Sequence, residues 1–330
     1  MREPTLLSPL AFFGTPEFAL PTLEALAAAG RTPAVVVSQP ARRAGRGRRP
    51  VQPPVAEWAL ARGLPLLQPE RVRAPAFQAE LARWAPALAV VVAFGQIFPR
   101  PLLALPTHGC LNLHASLLPA YRGAAPIAAA IAAGDEHTGV STMLMEAGLD
   151  SGPVLLQRAE VIDPRDTGGA LGARLSRLGA ALVVETLERW ERGELVPREQ
   201  DHDAATLAPR LSKDDGHIDW RRSAIEIERQ VRAMTPWPGA ATSYRGEPLR
   251  VLEASLAAYR PTSEGGPMSA GVVLGTAGAS LLVRCGRGTL ALDRVQRAGR
   301  RPLAGREFWN GERLSPGELL GRPATREASA

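Results

Sequence analysis

The sequence predicts an α/β fold, in which a doubly wound, Rossmann-like parallel sheet is followed by a smaller β-barrel domain. Three observations support this prediction. Apolar runs such as residues 34–38 and 87–94 alternate with segments of helical periodicity, as in a parallel sheet covered by helices. Beyond residue 240, short apolar segments separated by glycines predict a small barrel. A chain of 330 residues is long enough for two domains, each with its own core.

The first half of the chain predicts regular alternation of strands and helices. Pro9 interrupts the first apolar run and does not suit a central strand, so this strand either begins late, at Leu10, or the start of the chain is unusual. Thr15 is expected to cap the first helix, with Pro16 at its first position and Gly30 at its end. The predicted strands are 6–13, 34–38, 64–67 and 87–94, and the predicted helices are 16–29, 54–62 and 76–84.

The second half predicts a helix, a hairpin and a long amphipathic helix that ends the catalytic domain, residues 1–192. Residues 193–210 are polar and aperiodic and are interpreted as a linker. Residues 211–315 form the predicted smaller domain, and 316–330 a flexible tail. The predicted helices are 125–133, 167–192 and 224–234, and the strands are 138–146, 154–162, 242–244, 249–254, 271–274, 280–284 and 289–295.

The segment 109–127 holds the residues best suited to chemistry. Asn112 and His114 are two apart on a short apolar strand, so their side chains share one face. In open α/β sheets, functional groups gather where strands end at their carboxyl termini. Asp150, in a glycine-rich turn, is placed to orient His114. The alternatives are a core His and Asn satisfied by their neighbours and an ordinary turn aspartate. Gln96 follows another buried strand and is expected to line the same site.

Composition limits the class of protein. No apolar run reaches the roughly 20 residues of a membrane span, and the N-terminus lacks the pattern of a signal peptide. The two cysteines, Cys110 and Cys285, form neither a disulfide framework nor a metal motif, which predicts a cytoplasmic protein without a membrane partner. The net charge of +6 permits a polyanionic partner. Because Lys213 is the only lysine, the arginine content also fits the codon bias of a GC-rich genome.

The motifs around this segment resemble those of the folate-dependent formyltransferases. The resemblance rests on the stretch from Asn112 to Ile127, which contains Ser-Leu-Leu-Pro, and on Gly-Leu-Asp-x-Gly at 148–152. It implies 10-formyltetrahydrofolate as the co-substrate and no metal. It also implies that Asn112, His114 and Asp150 are catalytic, with His114 acting either as a base or as an oxyanion partner. The folate is expected to contact the loop of Ser116, Leu117, Leu118 and Pro119.

Further motifs resemble the tRNA-dependent branch of this family, namely residues 12–19, 211–220 and 232–239. The resemblance covers about residues 11–309 and implies an OB-like C-terminal barrel lying along the tRNA. It implies formylation of the α-amine of initiator methionyl-tRNA by a protein that we expect to be a monomer. Several arginines could simply belong to a solvated surface, but the resemblance makes them candidate contacts to tRNA phosphates. These are Arg42, Arg43, Arg46, Arg48, Arg49, Arg297, Arg300 and Arg301.

Three other functions compete with this interpretation. A formyltransferase for an amino sugar or another amine would share the N-terminal domain, but the arginine loop at 42–49 and the Pro-Trp-Pro at 236–238 disfavour it. An RNA-binding protein without catalysis would have no need of Asn112, His114 and Asp150. A nucleotide-binding oxidoreductase is disfavoured because the first strand is not followed by G-x-G-x-x-G.

Overall fold

The computed structural model of this protein describes residues 6–44, 49–258 and 270–321. They divide into two units, which are described separately. The first takes its described residues from Met1–Ile127, Glu136–Ile162 and Leu171–Pro209. The second takes them from Ala128–Asp135, Asp163–Ala170 and Arg210–Ala330. Residues 193–209, which the sequence predicted as a linker, therefore lie with the first unit.

The elements up to residue 209 follow the predicted alternation closely. The strands are β1 (Leu10–Gly14), β2 (Val35–Val37), β3 (Arg42–Ala44), β4 (Arg49–Val51), β5 (Leu66–Leu67), β6 (Leu88–Val92), β7 (Cys110–His114), β8 (Arg122–Gly123), β9 (His137–Leu144), β10 (Val154–Val161) and β11 (Leu207–Ala208). The helices are α1 (Leu20–Ala28), α2 (Pro54–Ala61), α3 (Pro75–Ala82), α4 (Arg100–Leu103), α5 (Pro126–Ala133) and α6 (Gly168–Glu191), with a 3-10 turn at Glu17–Ala19.

Seven strands form the main sheet, in the order β10-β9-β7-β6-β1-β2-β5. The five strands from β7 to β5 are parallel, and β9 and β10 extend the sheet as an antiparallel pair. Strands β1, β6 and β7 are buried along their whole length, which explains their continuous apolar sequences. The predicted doubly wound sheet is confirmed, and the carboxyl ends of β1, β6 and β7 lie side by side.

The first strand begins late, after Pro9, which is one of the two alternatives that the sequence left open. Strand β1 begins at Leu10, directly after this proline, so no ladder hydrogen bond is lost. The predicted helix cap at Thr15 is wrong. The Thr15 hydroxyl donates to Phe94 O over 3.1 Å and accepts from Gln39 N over 3.3 Å, so it links the ends of three strands instead of capping a helix.

The second unit is built on an antiparallel sheet. Its strands run in the order β12-β13-β16-β15-β14, and β17 pairs with β16. A capping box formed by Ser223 and Glu226 begins α7, and the ring of Phe308 on α8 is buried in the core. The elements are α7 (Ala224–Ala233), β12 (Ala240–Tyr244), β13 (Glu247–Ala257), β14 (Val273–Ala277), β15 (Ser280–Arg284), β16 (Thr289–Arg297), β17 (Leu303–Ala304) and α8 (Gly305–Glu312). The antiparallel domain is confirmed, whereas its closure into a barrel stays a prediction.

Two segments depart from the predicted coil. The arginine-rich stretch, predicted as a loop, contains the antiparallel pair β3 and β4. Strand β11 pairs in parallel with β8, so residues 207 and 208 lie against 122 and 123. No helix in the described ranges is long and apolar enough to cross a membrane.

Candidate active site

Strand β7 places Asn112 and His114 on one face at the carboxyl edge of the sheet. Asn112 pairs in register with Val91 of β6 and Met143 of β9, and both polar side chains are at least nine-tenths buried. On the opposite face, Leu113 packs against Gly179 of α6, where a Cβ would lie 2.6 Å from the leucine Cδ2. The strand is therefore held tightly on its apolar face, and its polar face is left for chemistry.

The Asn112 amide is set apart from the other buried polar groups of this site. Within residues 6–44, 49–258 and 270–321, no protein group forms a hydrogen bond with it. Buried amides are normally paired with protein groups, and the Asn112 amide is not among the fully buried unpaired side-chain atoms of the described residues, so it remains accessible from outside the protein. The free amide of Asn112 therefore suits a substrate oxygen that would accept its N–H.

The His114 ring is held from both sides. Its Nε2 lies 2.9 Å from the carbonyl oxygen of Tyr121, and its Nδ1 lies 3.6 Å from Asp150 Oδ2. Since a carbonyl oxygen only accepts, Nε2 carries a proton in this contact. In the neutral ring, Nδ1 is therefore the nitrogen that can accept a proton, and this nitrogen faces the carboxylate.

Asp150 occupies a conformation that few non-glycine residues adopt, with φ of 46°. Its Oδ2 accepts a hydrogen bond from Gly123 N over 2.8 Å. Because the same oxygen is the one nearest to His114, the backbone of β8 fixes the carboxylate beside the imidazole. The structure thus brings together the three residues predicted to be catalytic.

The loop predicted to contact folate is held by a network of short polar contacts. Ser116 Oγ donates to Ala120 O over 2.6 Å, and Ser141 Oγ donates to Ser116 O over 2.7 Å. Leu118 N donates to Ser141 Oγ over 3.1 Å, and Gln157 Nε2 donates to Leu118 O over 2.8 Å. Leu118 is buried, whereas Leu117 and Pro119 are partly exposed and present apolar surface.

Gln96 lies at the carboxyl end of β6, as predicted, but its amide is occupied. Its Oε1 accepts from Val72 N over 3.0 Å, and its Nε2 donates to Glu70 O over 3.1 Å. The side chain thus ties the turn after β6 to the segment before α3. A direct contact between Gln96 and folate stays a prediction.

The arginines predicted to contact tRNA differ in what the structure shows of them. Arg42 is exposed and donates to Gln39 Oε1 over 3.2 Å. Arg297 pairs with Glu312 over 2.7 Å, which holds the pKa of Arg297 above its ordinary value. Arg300 and Arg301 are exposed. The remaining candidates fall in the arginine-rich stretch, where Arg46 and Arg48 and the side chains of Arg43 and Arg49 lie outside the described residues.

Several residues around the site were not predicted. Arg122 and Gln200 are buried and hydrogen-bonded to each other, and Thr206 accepts from Tyr121 N through its hydroxyl over 2.8 Å. Arg122 stands inside the central motif, which was a usable signal. Gln200 and Thr206 lie in an aperiodic polar stretch that gave none. In the part of the chain that the structure describes, no group of three or more His, Cys, Asp or Glu side chains is arranged to hold a metal ion.

Most of the chain matches models of the formyl transferases. The model of the family described as formyl transferase matches residues 9–187, and that of the formyl transferase C-terminal domain matches residues 210–313. The chain therefore belongs to the formyl transferase family. It is 44% identical to the methionyl-tRNA formyltransferase of Geobacter sulfurreducens, over 96% of this chain and 98% of that protein. It is 47% identical to the methionyl-tRNA formyltransferase of Solibacter usitatus, over 94% of this chain and 98% of that protein.

Solved structures share the fold at lower sequence identity. An N-formyltransferase from Helicobacter canadensis, in complex with folinic acid and dTDP-3-aminofucose, is 15% identical with a TM-score of 0.61, over 88% of this chain and 99% of that one. HypX from Aquifex aeolicus, in complex with tetrahydrofolic acid, is 16% identical with a TM-score of 0.61, over 94% of this chain and 48% of that one. At these identities the likeness concerns the fold alone.

Proposed function

We propose that this chain transfers the formyl group of 10-formyltetrahydrofolate to the α-amino group of initiator methionyl-tRNA. The observation that carries the proposal is the convergence of the Asn112 amide, the His114 ring and the Asp150 carboxylate at the end of β7. The methionyl-tRNA formyltransferases reported above support it, since the identity extends over both domains and nearly the full length of each protein.

The proposed division of labour follows from the contacts of each side chain. Negative charge develops on the formyl oxygen as the amine attacks, and Asn112 is the donor for it, because its amide has no protein partner within the described residues. His114 is less suited to that role, since its Nε2–H is directed at Tyr121 O. We therefore assign the amine proton to Nδ1 of His114, beside Asp150, and its return to N10 as the bond between the formyl carbon and N10 breaks, so that tetrahydrofolate leaves as a neutral amine.

The co-substrate fits the chemistry of the groups that surround it. 10-Formyltetrahydrofolate supplies the formyl group when bound. Leu117 and Pro119 offer apolar surface to its ring system, on a loop that Ser116, Ser141 and Gln157 hold in place. A preorganised loop favours catalysis because little rearrangement is required when the donor binds.

For the tRNA we propose two contact regions. The first is the arginine-rich stretch 42–49, which includes the paired strands β3 and part of β4, with Arg42, Arg43, Arg46, Arg48 and Arg49. The second is Arg297, Arg300 and Arg301 in the C-terminal domain. Arg300 and Arg301 are exposed, whereas Arg297 must exchange Glu312 for a phosphate. Both proposed substrates are cytoplasmic, and one chain suffices because the three catalytic side chains belong to one unit.

The deciding experiment measures formyl transfer from 10-formyltetrahydrofolate to initiator methionyl-tRNA, elongator methionyl-tRNA and a dTDP-linked amino sugar. Rapid transfer to the initiator alone is the expected result. Transfer to the sugar without transfer to either tRNA would overturn the proposed acceptor and leave the chemistry intact. Transfer to no acceptor, with folate still bound, would overturn the roles assigned to Asn112, His114 and Asp150.

A second experiment tests the arginine-rich stretch 42–49. Arg46→Ala is expected to raise KM for the tRNA and to leave KM for the folate unchanged, because a phosphate contact contributes to tRNA binding only. Arg83→Ala, at an exposed position after α3, is the matched control. Equal tRNA KM values for Arg46→Ala and Arg83→Ala would remove this residue from the proposed contact.

A further inference from the structure

Gln200 spans the gap between two loops of the active site. Its Nε2 donates to the carbonyl oxygens of Asp150 and Gly152, over 2.8 and 2.7 Å. Its Oε1 accepts from Nε and Nη2 of Arg122, over 3.0 and 2.8 Å. Because carbonyls only accept and a guanidinium only donates, this environment allows one orientation of the amide and uses both of its N–H groups.

Arg122 is an unusual anchor for such a network. It is 8% exposed, yet within the described ranges no carboxylate lies at ion-pair distance from it. Its other side-chain partner is His202 Nδ1, at 3.1 Å. Burying a charge among neutral acceptors is an inefficient way to stabilise a fold. The arrangement therefore points to a role in the site beside it.

The two loops joined by this network are those that hold His114 and Asp150. Tyr121, just before Arg122, provides the carbonyl that accepts from His114 Nε2. Gly123, just after it, provides the N–H that donates to Asp150 Oδ2. At the other end of the network, where Gln200 donates to its carbonyl, Asp150 has a positive φ of 46°. The bonds from Gln200 to the carbonyls of Asp150 and Gly152 hold the turn at that strained residue and two positions after it.

We propose that Gln200 is a positioning residue, which with Arg122 as its anchor holds the Asp150 carboxylate against His114. This inference rests on the proposed function, because it concerns the geometry of the same reaction. It extends the working site to residue 200, in a segment that the family motifs around Asn112 and Asp150 do not include.

Gln200→Glu separates positioning from stability. The carboxylate keeps the acceptor oxygen that takes both hydrogen bonds from Arg122 and gains an ion pair, so the protein is expected to fold. It loses both N–H donors and sets an anion against the carbonyls of Asp150 and Gly152. We expect kcat to fall on the order of 100-fold, as for a misplaced catalytic group, with KM for both substrates nearly unchanged. Glu199→Gln, at the exposed neighbouring position, is the control and should keep the wild-type kcat.

A double-mutant cycle shows whether Gln200 acts through Asp150. In an Asp150→Ala background, Gln200→Glu is expected to lower the single-turnover rate by less than about twofold, since the group it positions is gone. An equal loss in both backgrounds, or a wild-type kcat for Gln200→Glu, would overturn the proposal. If Gln200→Glu does not fold, Gln200→Met, which lacks both donor and acceptor, takes its place in the same cycle.

A crystal structure of the same variant keeps the inference separate from the proposed function. If the wild-type protein formylates no methionyl-tRNA, the proposed function fails, but the position of Asp150 can still be measured. Displacement of Oδ2 from Gly123 N in the variant supports the inference. An unchanged Asp150 conformation contradicts it, whichever acceptor the enzyme uses.

Discussion

The backbone N–H of Gly123 donates to the carboxylate of Asp150 over 2.8 Å, on the oxygen that also lies nearest to His114. A glycine of one loop thus sets the position of an acid carried by another. Gly123 has φ of 122°, a conformation that residues with side chains rarely adopt, and it pairs with Ala208 in the ladder of β8 and β11. The precision of the His114–Asp150 pair therefore depends on backbone geometry as much as on the two side chains.

Asp150→Asn should separate the charge of this residue from its structural role. The amide oxygen can still accept from Gly123 N, so the loop should keep its geometry, but the negative charge beside His114 is lost. We expect kcat to fall by about 10²–10⁴-fold with little change in KM. Steady-state formylation kinetics provide the measurement, with Asp201→Asn at an exposed site as the control. Equal kcat for both variants would contradict the assigned role.

Asn112→Ala should lower activity without lowering stability. Because the amide has no protein partner in the described part of the chain, its truncation leaves no buried group unpaired. Loss of one oxyanion donor is expected to reduce kcat by about 10²–10³-fold. Urea denaturation should give a midpoint close to that of the wild type. A marked loss of stability would instead identify Asn112 as a structural core residue.

Gly123→Ala should damage both stability and activity. A Cβ at this position would lie 2.5 Å from Ala208 O, in addition to the strain of a positive φ. Strain of this kind costs about 1–3 kcal/mol, and the clash adds to it. Gly193→Ala is the control, because Gly193 also has a positive φ, of 68°, but has nothing within 4 Å of its would-be Cβ. Thermal melting should show the larger loss for Gly123→Ala, and equal losses would exclude the clash with Ala208.

The two cysteines should be inert in the folded protein. Burial raises the pKa of Cys110 and of Cys285 to about 12 each, so almost no thiolate exists at pH 8. A thiol-specific chromogenic reagent should therefore react very slowly with the native protein. After denaturation in guanidinium, the same reagent should react with both thiols. Because these pKa values are raised on folding, their contribution to stability is complete below pH 9 and is lost as the pH rises from about 9 to about 12. Rapid reaction of the native protein would contradict the burial.

The capping box of α7 should be visible in an acid titration. The hydrogen bonds from Ser223, the side-chain bond first, lower the pKa of Glu226 to about 2. Because folding lowers this pKa from its ordinary value of 4.5, the ionised carboxylate stabilises the folded state at pH values above 4.5. This contribution is lost as the pH falls towards 2. Ser223→Ala should return the pKa of Glu226 towards 4.5, measured by NMR titration of its carboxyl carbon. The backbone N–H of residue 223 and the Arg222 guanidinium remain as partners in that variant, so only the effect of the Ser223 hydroxyl is removed.

Local sequence pattern predicted the strand that carries Asn112 and His114, for a clear physical reason. In β7, the alternation of side chains along a strand places Asn112 and His114 on one face whatever surrounds them. The parallel sheet was predicted from the alternation of strands and helices in the same way, whereas its strand order was not predicted. Thr15 was different, because its hydroxyl could cap a helix or link strand ends, and the distant carbonyl of Phe94 decided between them.

Contacts between distant parts of the chain left no local pattern to read. Gln200 bonds to residues 50 and 78 positions away, so its neighbours in sequence say nothing of its role. Helix α8 was missed for a related reason, since it is rich in charged residues and glycine and buries only Gly305 and Phe308. Gln96 follows β6 as expected, but its partners at Glu70 and Val72 depend on how the next loop folds, and its contact with folate stays a prediction.

The parallel pairing of β8 with β11 has a consequence for synthesis of the protein on the ribosome. Once the ribosome has added Asp150, all the residues assigned to the chemistry have been synthesised. The last strand of the main sheet ends at Val161. Yet Gly123 and Tyr121 are fixed by Ala208 and Thr206, and Asp150 by Gln200. A nascent chain can therefore fold its sheet well before its active site takes shape. Formyl transfer should begin only after residue 208 has left the exit tunnel.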